Sequence, residues 1–494
     1  MKRALAVLGG LLLVLGTILI LAAYRFPVTP IRSNLPPVQM DIPEGFEARL
    51  SQAVRFPTIS FDDPGQVDWD VFRAFHQFLT EAYPQVHQHL ALEKVNEFGL
   101  LYHWPGEDPN LAPVLFLAHQ DVVPVSPGTE DEWHHDAFSG ATEDGFIYGR
   151  GTLDDKAGML ALLEATSALI DAGYVPPRGV YFAFGQDEEV GGRLGAARLA
   201  ERLKELGLTF AFVLDEGGAI TENTISGVDG MMAVVGIAEK GFVTLDLQVE
   251  GEGGHSSMPP PNTAIGILAA GLARLEAKPF PANLEHVTRL LRELGPAVPF
   301  SHRLVMANQW LTRPLVVDMA GQSNALNAFI RTTTAVTVVE GGVKANVLPV
   351  KASAKVNFRI MPGDTVESVV ERVGTILDDP RITISISGHS VNPSPVSPAD
   401  GQAYGLIRDT IYQVAGEELD LTVVPYLTLG GTDARHYTGL SPNVYRFLFN
   451  VLREGDLERI HGTNERVSIS DYRLTIAFYQ NLFRNLHMLQ TKTP

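Results

Sequence analysis

The chain has 494 residues, a formal net charge of −19 and no cysteine. This length is sufficient for two or three domains with a large apolar core, and 45% hydrophobic with 19% charged residues is typical of a globular protein. The acidic balance excludes a nucleic-acid partner, which needs a basic face. Without cysteine, disulfides and thiolate ligands are excluded, so any metal site must use His, Asp and Glu.

The N-terminal residues 4–23 are uncharged and almost wholly apolar, and Lys2 and Arg3 precede them. Twenty helical residues span about 30 Å, the thickness of a bilayer core. We therefore predict a transmembrane signal-anchor over residues 1–25, with the remainder extracytoplasmic, either periplasmic or extracellular, since positive charges favour the cytoplasmic side. A cleaved signal peptide is the alternative. The prolines of residues 26–45 predict a stiff stalk.

Strand and helix patterns alternate along residues 46–240, the first part of the predicted main domain. Strands are predicted at 98–104, 114–118, 180–184 and 211–214, and helices at 68–83, 155–172 and 194–206. This alternation is typical of a doubly wound α/β fold with a mostly parallel sheet. The main domain is predicted to resume over 391–494, with helices at 402–414 and 470–488 and with Ser470 as the N-cap of the last one.

Residues 241–390 have a different order of elements. Strands are predicted at 242–249, 332–339, 351–360 and 382–386, and helices at 263–275 and 366–377. Apart from a poorly patterned stretch over 279–328, the order is β-α-β-β-α-β. It predicts a ferredoxin-like α+β domain inserted into the main domain.

Ionisable residues follow several of the predicted parallel strands, at the edge where open α/β sheets bind ligands. The strand 180–184 leads into Asp187, Glu188 and Glu189, three carboxylates that repel one another and resist desolvation. A divalent cation would neutralise them. The other candidates at comparable positions or in glycine-rich loops are His119, Asp121, Asp154, Asp155, Asp215, Glu216 and His461. This set suits two zinc ions, or manganese or cobalt, bridged by one carboxylate. Taken singly, Asp154 and Asp155 are equally well explained as N-capping residues of a helix.

Nine motifs follow one another after the stalk: LAHQDVVP, YGRGTLDDKAG, FGQDEEVGG, FVLDEGG, GHSSMPPPNTAIG, KANVLP, FRIMPGD, GGTDAR and RIHGTNE. On these motifs the sequence resembles the di-zinc exopeptidase and amidohydrolase family of aminoacylase-1, carboxypeptidase S and glutamate carboxypeptidase. The likeness is particular to the carboxypeptidase S branch, which includes secreted N-acyl-amino-acid hydrolases/synthases. It implies a catalytic main domain that hydrolyses amide bonds next to a free carboxylate, in N-acyl amino acids or short peptides, and that also works in the reverse direction.

The resemblance also implies metal-site roles, residue by residue. His119 and either Asp215 or Glu216 would bind one metal ion. Glu189 and His461 would bind the other, and Asp154 would bridge both. Glu188 would be the general base that activates the bridging water, and Asp121 would orient a ligand.

In the same way, the resemblance identifies the inserted domain with the family's lid, through which a homodimer would also form. His255 would stabilise the oxyanion in the transition state. The residues that would bind the substrate are Asn346 and Arg359 on the lid and Gly430, Gly431 and Thr432 on the main domain.

Two features depart from compact members of that family: the N-terminal anchor and the long middle of the lid. Apolar residues in this middle would either contact lipidic substrates or pack the lid's own core; they are Phe280, Phe300, Val305, Met306, Trp310 and Leu311. A di-metal phosphoesterase and a non-catalytic, membrane-tethered binding protein on a degenerate hydrolase fold are the two rival hypotheses. The first has no need of Arg359, and the second has no need of Glu188.

Overall fold

The computed structural model describes residues 2–26, 35, 38, 40–222, 230–294, 298–416 and 419–490. The α-helices in these ranges are α1 (Lys2–Arg25), α2 (Phe46–Val54), α3 (Trp69–Ala82), α4 (Pro84–His89), α5 (Lys156–Asp171), α6 (Ala196–Glu205), α7 (Ala264–Glu276), α8 (Glu285–Glu293), α9 (Phe300–Ala307), α10 (Gln309–Gly321), α11 (Asn324–Ile330), α12 (Val366–Leu377), α13 (Gln402–Ala415), α14 (Asp456–Arg459) and α15 (Ile469–Asn485).

The strands in the same ranges are β1 (Ala91–Val95), β2 (Gly99–Trp104), β3 (Val114–His119), β4 (Thr142–Glu143), β5 (Phe146–Tyr148), β6 (Val180–Gly185), β7 (Val213–Asp215), β8 (Ile220–Glu222), β9 (Met231–Glu239), β10 (Gly241–Glu250), β11 (Gly254–His255), β12 (Thr333–Gly341), β13 (Val347–Leu348), β14 (Lys351–Ile360), β15 (Ile382–Ile386), β16 (Leu421–Thr428), β17 (Val444–Arg446), β18 (Val451–Leu452) and β19 (Arg466–Ser468).

The central sheet has the strand order β1-β2-β6-β3-β7-β17-β9-β8-β18, and β16 pairs with β9 in addition. The neighbours β6, β3, β7 and β17 run parallel, as do the β8–β18 and β9–β16 pairs. Antiparallel pairs join β1 to β2, β2 to β6, and β9 to both β8 and β17. These pairings confirm a mixed α/β fold with a mostly parallel central sheet.

Strand β3 is buried along its whole length, because helices cover both faces of the sheet. Its side chains alternate between two core layers, as the two-residue period of a strand requires. Val114 and Phe116 pack in a layer that includes α5 and α15. Leu115 and Leu117 pack in the opposite layer with α6. The end of β3 is therefore held firmly from both sides, which matters for the residue that ends it, His119.

A second, separate sheet has the order β12-β14-β10-β15 and is antiparallel throughout. Strand β10 alternates between buried and half-buried side chains, and its buried side chains form an apolar core with α7 and α12. The six elements follow one another in the predicted β-α-β-β-α-β order. The interpretation of residues 241–390 as a lid domain stays a prediction.

The poorly patterned stretch of the sequence forms the four helices α8 to α11. These helices do not add to the core of the second sheet. Instead, Leu290, Met306 and Phe329 form an apolar cluster with Val424 and Leu427 of β16. The stretch therefore packs on an edge strand of the central sheet.

The apolar residues singled out in this stretch differ in their surroundings. Phe280 lies in the core of the second sheet, Met306 lies in the cluster against β16, and Val305 is half-buried. Phe300, Trp310 and Leu311 are exposed by 37%, 67% and 48%. Phe280 and Met306 thus pack in apolar cores, whereas Phe300, Trp310 and Leu311 are exposed, as a lipid-contacting surface requires.

The N-terminal helix α1 is, in the described ranges, the one helix long and apolar enough to cross a membrane. The ends of the predicted stalk do not stand free of the protein. Phe26 is buried in the cluster against β16, and the Gln480 side chain donates a hydrogen bond to the Asp41 carbonyl oxygen. The stalk prolines, Pro27, Pro30, Pro36 and Pro37, lie outside the described residues.

Two local predictions differ from the structure. The last helix is capped by Ser468, whose hydroxyl accepts from the Asp471 amide, and Ser470 lies in its first turn. Strands β9 and β16 were not predicted. A proline in a strand normally argues against it, but β16 pairs with β9 alone, so Pro425 is tolerated there as on any edge strand.

Candidate metal centre

Three adjacent parallel strands end at one edge of the central sheet and carry the ionisable residues there. His119 is the last residue of β3 and Asp215 the last of β7. Asp187 to Glu189 follow β6, and Glu216 follows β7. Because β6, β3 and β7 are neighbours, side chains that are far apart in sequence meet at this edge. The predicted position of the site is the one that a sheet of this topology favours.

His119 is buried, and both of its ring nitrogens have acidic surroundings. Nδ1 lies 3.0 Å from the Asp121 carbonyl oxygen, which can only accept. This fixes the proton on Nδ1 and leaves Nε2, which lies 2.8 Å from Asp154 Oδ1, for a ligand role. Burial disfavours the imidazolium form, but the hydrogen bonds to Asp121 and Asp154 outweigh burial and keep the pKa of His119 well above its usual range.

The Asp154 carboxylate lies between two histidines. Its Oδ1 faces His119 and its Oδ2 lies 3.1 Å from His461 Nε2. His461 Nε2 is also 3.1 Å from Glu189 Oε2. Hydrogen bonds to Asp154 and Glu189 raise the pKa of His461 to about 10. Both oxygens of one carboxylate are thus directed at two separate nitrogen donors, as a bridging ligand requires.

Asp121 orients the loop that carries two of the predicted site residues. Its carboxylate is fully buried and accepts the backbone amides of Glu188 and Glu189 at 3.1 and 3.2 Å. The acidic residue directly before Glu188, Asp187, accepts the backbone amides of Leu194 and Gly195. These four bonds fix the backbone on both sides of Glu188. In the described part of the chain its carboxylate forms no hydrogen bond of its own.

The two adjacent acidic residues at the end of β7, Asp215 and Glu216, have different surroundings. Asp215 Oδ2 accepts the Ala434 amide at 2.7 Å and Oδ1 accepts the Glu216 amide at 3.0 Å. Glu216 instead offers an oxygen within 4.8 Å of ligand atoms of His119 and Asp154. The geometry therefore favours Glu216 over Asp215 as the residue that binds a metal ion together with His119 and Asp154, a choice that the sequence left open.

This difference can be measured as metal content. We expect Glu216→Gln to remove about one metal ion per chain, because a ligand is lost. Asp215→Asn should keep the full content at saturating zinc, with an affinity about 10–100-fold lower, since Asp215 supports the ligand without touching the metal. Metal analysis after equilibrium dialysis checks both variants. The opposite pattern, an ion lost from Asp215→Asn alone, would exchange the two assignments.

Glu465 organises the loop of the predicted bridging carboxylate. It is fully buried, and its Oε1 accepts the backbone amides of Gly151, Leu153 and Asp154 at 2.9, 2.8 and 3.3 Å. Its Oε2 lies 2.6 Å from Arg150 Nη1. Arg150 and Glu465 lie in two of the nine sequence motifs, YGRGTLDDKAG and RIHGTNE, but the sequence predicts no role for either residue. The position of each charged residue inside a glycine-containing motif was the signal that could have indicated a role.

Arg150 joins the same loop to the His461 segment. Its Nη2 donates to the carbonyl oxygens of His461 and Gly462 at 3.1 and 3.0 Å. Strand β19, which follows His461, pairs with β5, which precedes Arg150. His461 itself has a left-handed backbone, with φ of 62°, which is uncommon outside glycine and held here by these contacts.

The centre concentrates more negative charge than it can hold without a cation. Burial, and then repulsion from Asp433 and Glu189, raises the pKa of Glu188 well above its usual range. Burial and repulsion from Asp154 do the same for Glu216. Glu189 Oε1 is buried with no hydrogen-bond partner in the described residues. Burial of such groups is costly unless they are paired or coordinate a metal.

The donor set fits a pair of divalent cations. His119, Asp154 and Glu216 form one group in which every ligand atom lies within 4.8 Å of the others, and Asp154, Glu189 and His461 form a second. Imidazole and carboxylate donors suit zinc, and also manganese or cobalt. Asp154 is shared by both groups.

The predicted substrate residues on or beside the second sheet are separate from this centre. His255 on β11 and Asn346 beside β13 are exposed, and the Ser256 amide donates to the Asn346 carbonyl oxygen, so the two are neighbours. Arg359 on β14 is exposed, with its guanidinium 5.7 Å from the Phe242 ring centre. In the described residues none of these side chains forms a hydrogen bond with the metal ligands.

The predicted substrate residues of the main domain are near the centre. Gly430 and Gly431 are exposed, and Thr432 is buried. The Thr432 hydroxyl donates to Glu239 Oε1, which also accepts from Arg446 at 2.6 Å. Thr432 therefore has a structural partner, and its role in substrate binding stays a prediction.

A further group that could hold a metal consists of His134, His135 and Glu143. Both imidazole Nε2 atoms approach Glu143 Oε2, at 3.1 and 2.9 Å. The His134 and Glu143 side chains are 64% and 48% exposed. In contrast to the centre, this group holds a single carboxylate, and that carboxylate is exposed, so no buried charge there requires a cation.

Comparisons with protein families, known sequences and solved structures agree with one another. The model of the family described as peptidase family M20/M25/M40 matches residues 115–485. The chain is 39% identical over 442 residues to the "Probable carboxypeptidase S-like 2" of Dictyostelium discoideum, covering 88% of the chain and 84% of that protein. It is 40% identical over 441 residues to "N-fatty-acyl-amino acid synthase/hydrolase PM20D1" of Xenopus tropicalis, covering 88% and 85%. Among solved structures, the M20 family metallo-carboxypeptidase Sso-CP2 from Sulfolobus solfataricus aligns with a TM-score of 0.63 at 18% identity, covering 90% of this chain and all of that one.

Proposed function

The chain belongs to peptidase family M20/M25/M40 and is an enzyme of that family, and we propose that it hydrolyses amide bonds adjacent to a free carboxylate. The substrates are N-acyl amino acids or short peptides, and the reaction also runs in the direction of synthesis. The observation that carries the proposal is the Asp154 carboxylate held between His119 and His461, with the Glu188 carboxylate forming no hydrogen bond within the described residues.

Two metal ions, zinc or alternatively manganese or cobalt, would be held by the two groups described above. When bound, such ions polarise the amide carbonyl and lower the pKa of a water molecule. His119 and Glu216 would hold one, Glu189 and His461 would hold the other, and Asp154 belongs to both groups. Both histidines must be neutral to bind, so binding releases the protons that the raised pKa of each histidine retains in the metal-free protein.

Glu188 acts as the general base. It takes a proton from the attacking water and donates it to the leaving nitrogen. Support comes from its backbone, fixed by Asp121 and Asp187, and from its carboxylate, which has no hydrogen-bond partner in the part of the chain that the structure describes. Asp121 also orients His119 through its backbone carbonyl oxygen, so one residue aligns the base and a ligand together.

The free carboxylate of the substrate is bound by Arg359 and Asn346, while His255 stabilises the oxyanion. All three lie on or beside the second sheet, away from the metal groups. This sheet therefore acts as a lid, and the three residues reach the substrate when the lid closes over the central sheet. Closure within one chain and an exchange across a homodimer are both compatible with their exposure.

The contribution of Arg359 can be measured with matched substrates. A carboxylate pairs with arginine through two parallel hydrogen bonds, a geometry that lysine does not reproduce. For the wild type, kcat/KM should be lower for the amide than for the acid by a factor that corresponds to about 2–5 kcal/mol, because a desolvated arginine is left unpaired. In Arg359→Ala, acid and amide should be turned over slowly and at similar rates.

The two substrates and the two proteins form a double-mutant cycle. Lys355→Ala is the matched control, since Lys355 is an exposed cation four residues earlier on the same face of β14. It should leave the acid-to-amide ratio unchanged. A coupling energy near zero for Arg359 would make it a structural residue of the strand.

The reaction class is tested by a panel of substrates with the zinc-loaded protein. N-acyl amino acids with short and long acyl chains, dipeptides and phosphoesters are compared for turnover. Cleavage of amides with a free carboxylate supports the proposal, and the relatives' names indicate both acyl and peptide substrates. Preferential cleavage of phosphoesters would favour the di-metal phosphoesterase, and binding without turnover would favour the non-catalytic binding protein.

The catalytic body lies outside the cytoplasm, in the periplasm or extracellular space, and is anchored by α1. The uncharged residues 4–23 of α1 and the basic Lys2 and Arg3 at its start support this orientation. A cleaved signal peptide is the alternative for the same helix. Fractionation with protease accessibility on intact cells distinguishes these arrangements, and a protected, cytoplasmic body would contradict both.

A further inference from the structure

Helix α10 has an exposed face made of large apolar side chains. Trp310, Leu311, Leu315 and Met319 are exposed by 67%, 48%, 53% and 61%. At 100° per residue these positions lie within one half of the helix circumference, and Ala320, on the opposite side, is buried. Soluble proteins seldom expose contiguous apolar surface of this kind unless it contacts a partner.

The start of this helix is in direct contact with α1. Asn308, the residue before α10, donates a hydrogen bond from its side-chain amide to the Leu19 carbonyl oxygen at 3.0 Å. The ring of Phe300, which begins α9, lies 5.3 Å from the Tyr24 ring. Ala23 is fully buried. The exposed face of α10 therefore begins two residues after a residue that is hydrogen bonded to α1.

The position of this contact along α1 sets the depth of α10. Leu19 precedes the last residue of α1, Arg25, by six residues, which corresponds to about 9 Å along a helix axis. A helix of the length of α1 that crosses a bilayer places such a position below the membrane surface, inside the region of the headgroups and outer acyl chains. Asn308 is at the same depth, because it is hydrogen bonded to Leu19.

We propose that the exposed face of α10 is a membrane-contact surface, seated in the interface of the bilayer that α1 crosses. The inference rests on the proposed anchoring by α1, and it identifies the second element that touches the lipid. Trp310 belongs to the residue type enriched at membrane interfaces, where an apolar ring and a polar N–H are both satisfied.

The exposed face of α10 also carries a charged residue, Asp318, towards its C-terminal end. Asp318 is exposed and lies eight residues, or about 12 Å, beyond Trp310. The part of α10 nearest Leu19 is therefore the embedded part. With Phe26 buried in the protein, two attachments to the bilayer would fix the orientation of the catalytic body, which α1 alone would leave free to tilt.

The proposal is tested by quenching of tryptophan fluorescence in the full-length protein, reconstituted into phosphatidylcholine vesicles with or without bromine on the acyl chains. Brominated lipid should lower the emission of the wild type, and Trp310→Phe should abolish this loss, because the other tryptophans, Trp69, Trp104 and Trp133, lie in the body. As a matched control, Trp310→Phe combined with Leu206→Trp places a tryptophan at a site that is 46% exposed at the end of α6. This tryptophan should be quenched by aqueous iodide and not by brominated lipid.

Three outcomes would overturn the proposal. Protein that does not float with the vesicles would remove the anchoring on which it rests, whatever the fluorescence. Floating protein with identical quenching in wild type and Trp310→Phe would leave the anchor intact and refute the surface. Floating protein in which Trp310 is shielded from both brominated lipid and iodide would mean that a second protein copy covers the face.

Discussion

Glu188→Gln is expected to lower kcat by about 10²–10⁴-fold, the usual contribution of a general acid–base group, with little change in metal content. The reason is that Glu188 is absent from both groups of candidate ligands, while its backbone is held by Asp121 and not by its own side chain. The amide of glutamine occupies the same space but accepts no proton from water. Steady-state kinetics and metal analysis on the same preparation measure the two quantities together.

Glu189→Gln is the matched control, because it changes the adjacent residue in the same way. Glu189 lies 3.1 Å from His461, so this variant should lose metal as well as activity. Added zinc should partly restore Glu189→Gln and should not restore Glu188→Gln. Loss of metal from Glu188→Gln with retention in Glu189→Gln would mean that the two roles are exchanged.

The second large effect is expected at the buried pair of Arg150 and Glu465. Arg150→Met should lower the free energy of unfolding by about 3–5 kcal/mol, because it leaves the Glu465 carboxylate buried without its counter-ion. It should also weaken metal binding, since Arg150 holds the His461 segment and Glu465 holds the Asp154 loop. Chemical denaturation of the zinc-loaded and chelator-treated protein, with zinc titration, measures both.

Two further variants separate metal binding from stability. The double variant Arg150→Met/Glu465→Gln should be more stable than Arg150→Met alone, because it removes the uncompensated charge. Arg49→Met breaks another ion pair, to the fully buried Glu164 at 2.6 Å, and should reduce stability without a change in zinc affinity. If Arg49→Met and Arg150→Met weakened zinc binding equally, the Arg150–Glu465 pair would have no specific role in the centre.

The architecture could be predicted from the sequence largely because its signals are local. A continuous apolar run such as β3 indicates a strand buried on both faces, and the alternating pattern of β10 indicates one buried face. Strand β14 and helix α12 have the predicted bounds. Strand β16 was missed since Pro425 argues against a strand when the pairing is unknown. Helices α8 to α11 were missed although α8 is strongly amphipathic. In α10, large apolar residues lie on the exposed side and a proline lies inside the helix, so no single helical period stands out there.

Three of the candidate ligands, His119, Glu189 and Glu216, could also be predicted, since they follow strand patterns and strand ends of a parallel sheet meet at one edge. Asp154 and His461 lie in loops instead. Which carboxylate of a doublet faces inward could not be predicted, because it depends on backbone hydrogen bonds from elsewhere. The amide of Ala434 engages Asp215 and thereby leaves Glu216 to the centre. That amide is more than 200 residues away in sequence.

Residue types and their short-range spacing are sufficient to predict three features of this protein: a helix long enough to cross a bilayer, a mostly parallel sheet, and histidines and carboxylates at the edge where such a sheet binds ligands. How distant segments combine depends on the tertiary structure. It brings Glu465 under the Asp154 loop, packs α8 to α11 against β16, and leaves one face of α10 uncovered beside α1. Such contacts join segments hundreds of residues apart, and no local pattern encodes which buried charge will meet which backbone amide.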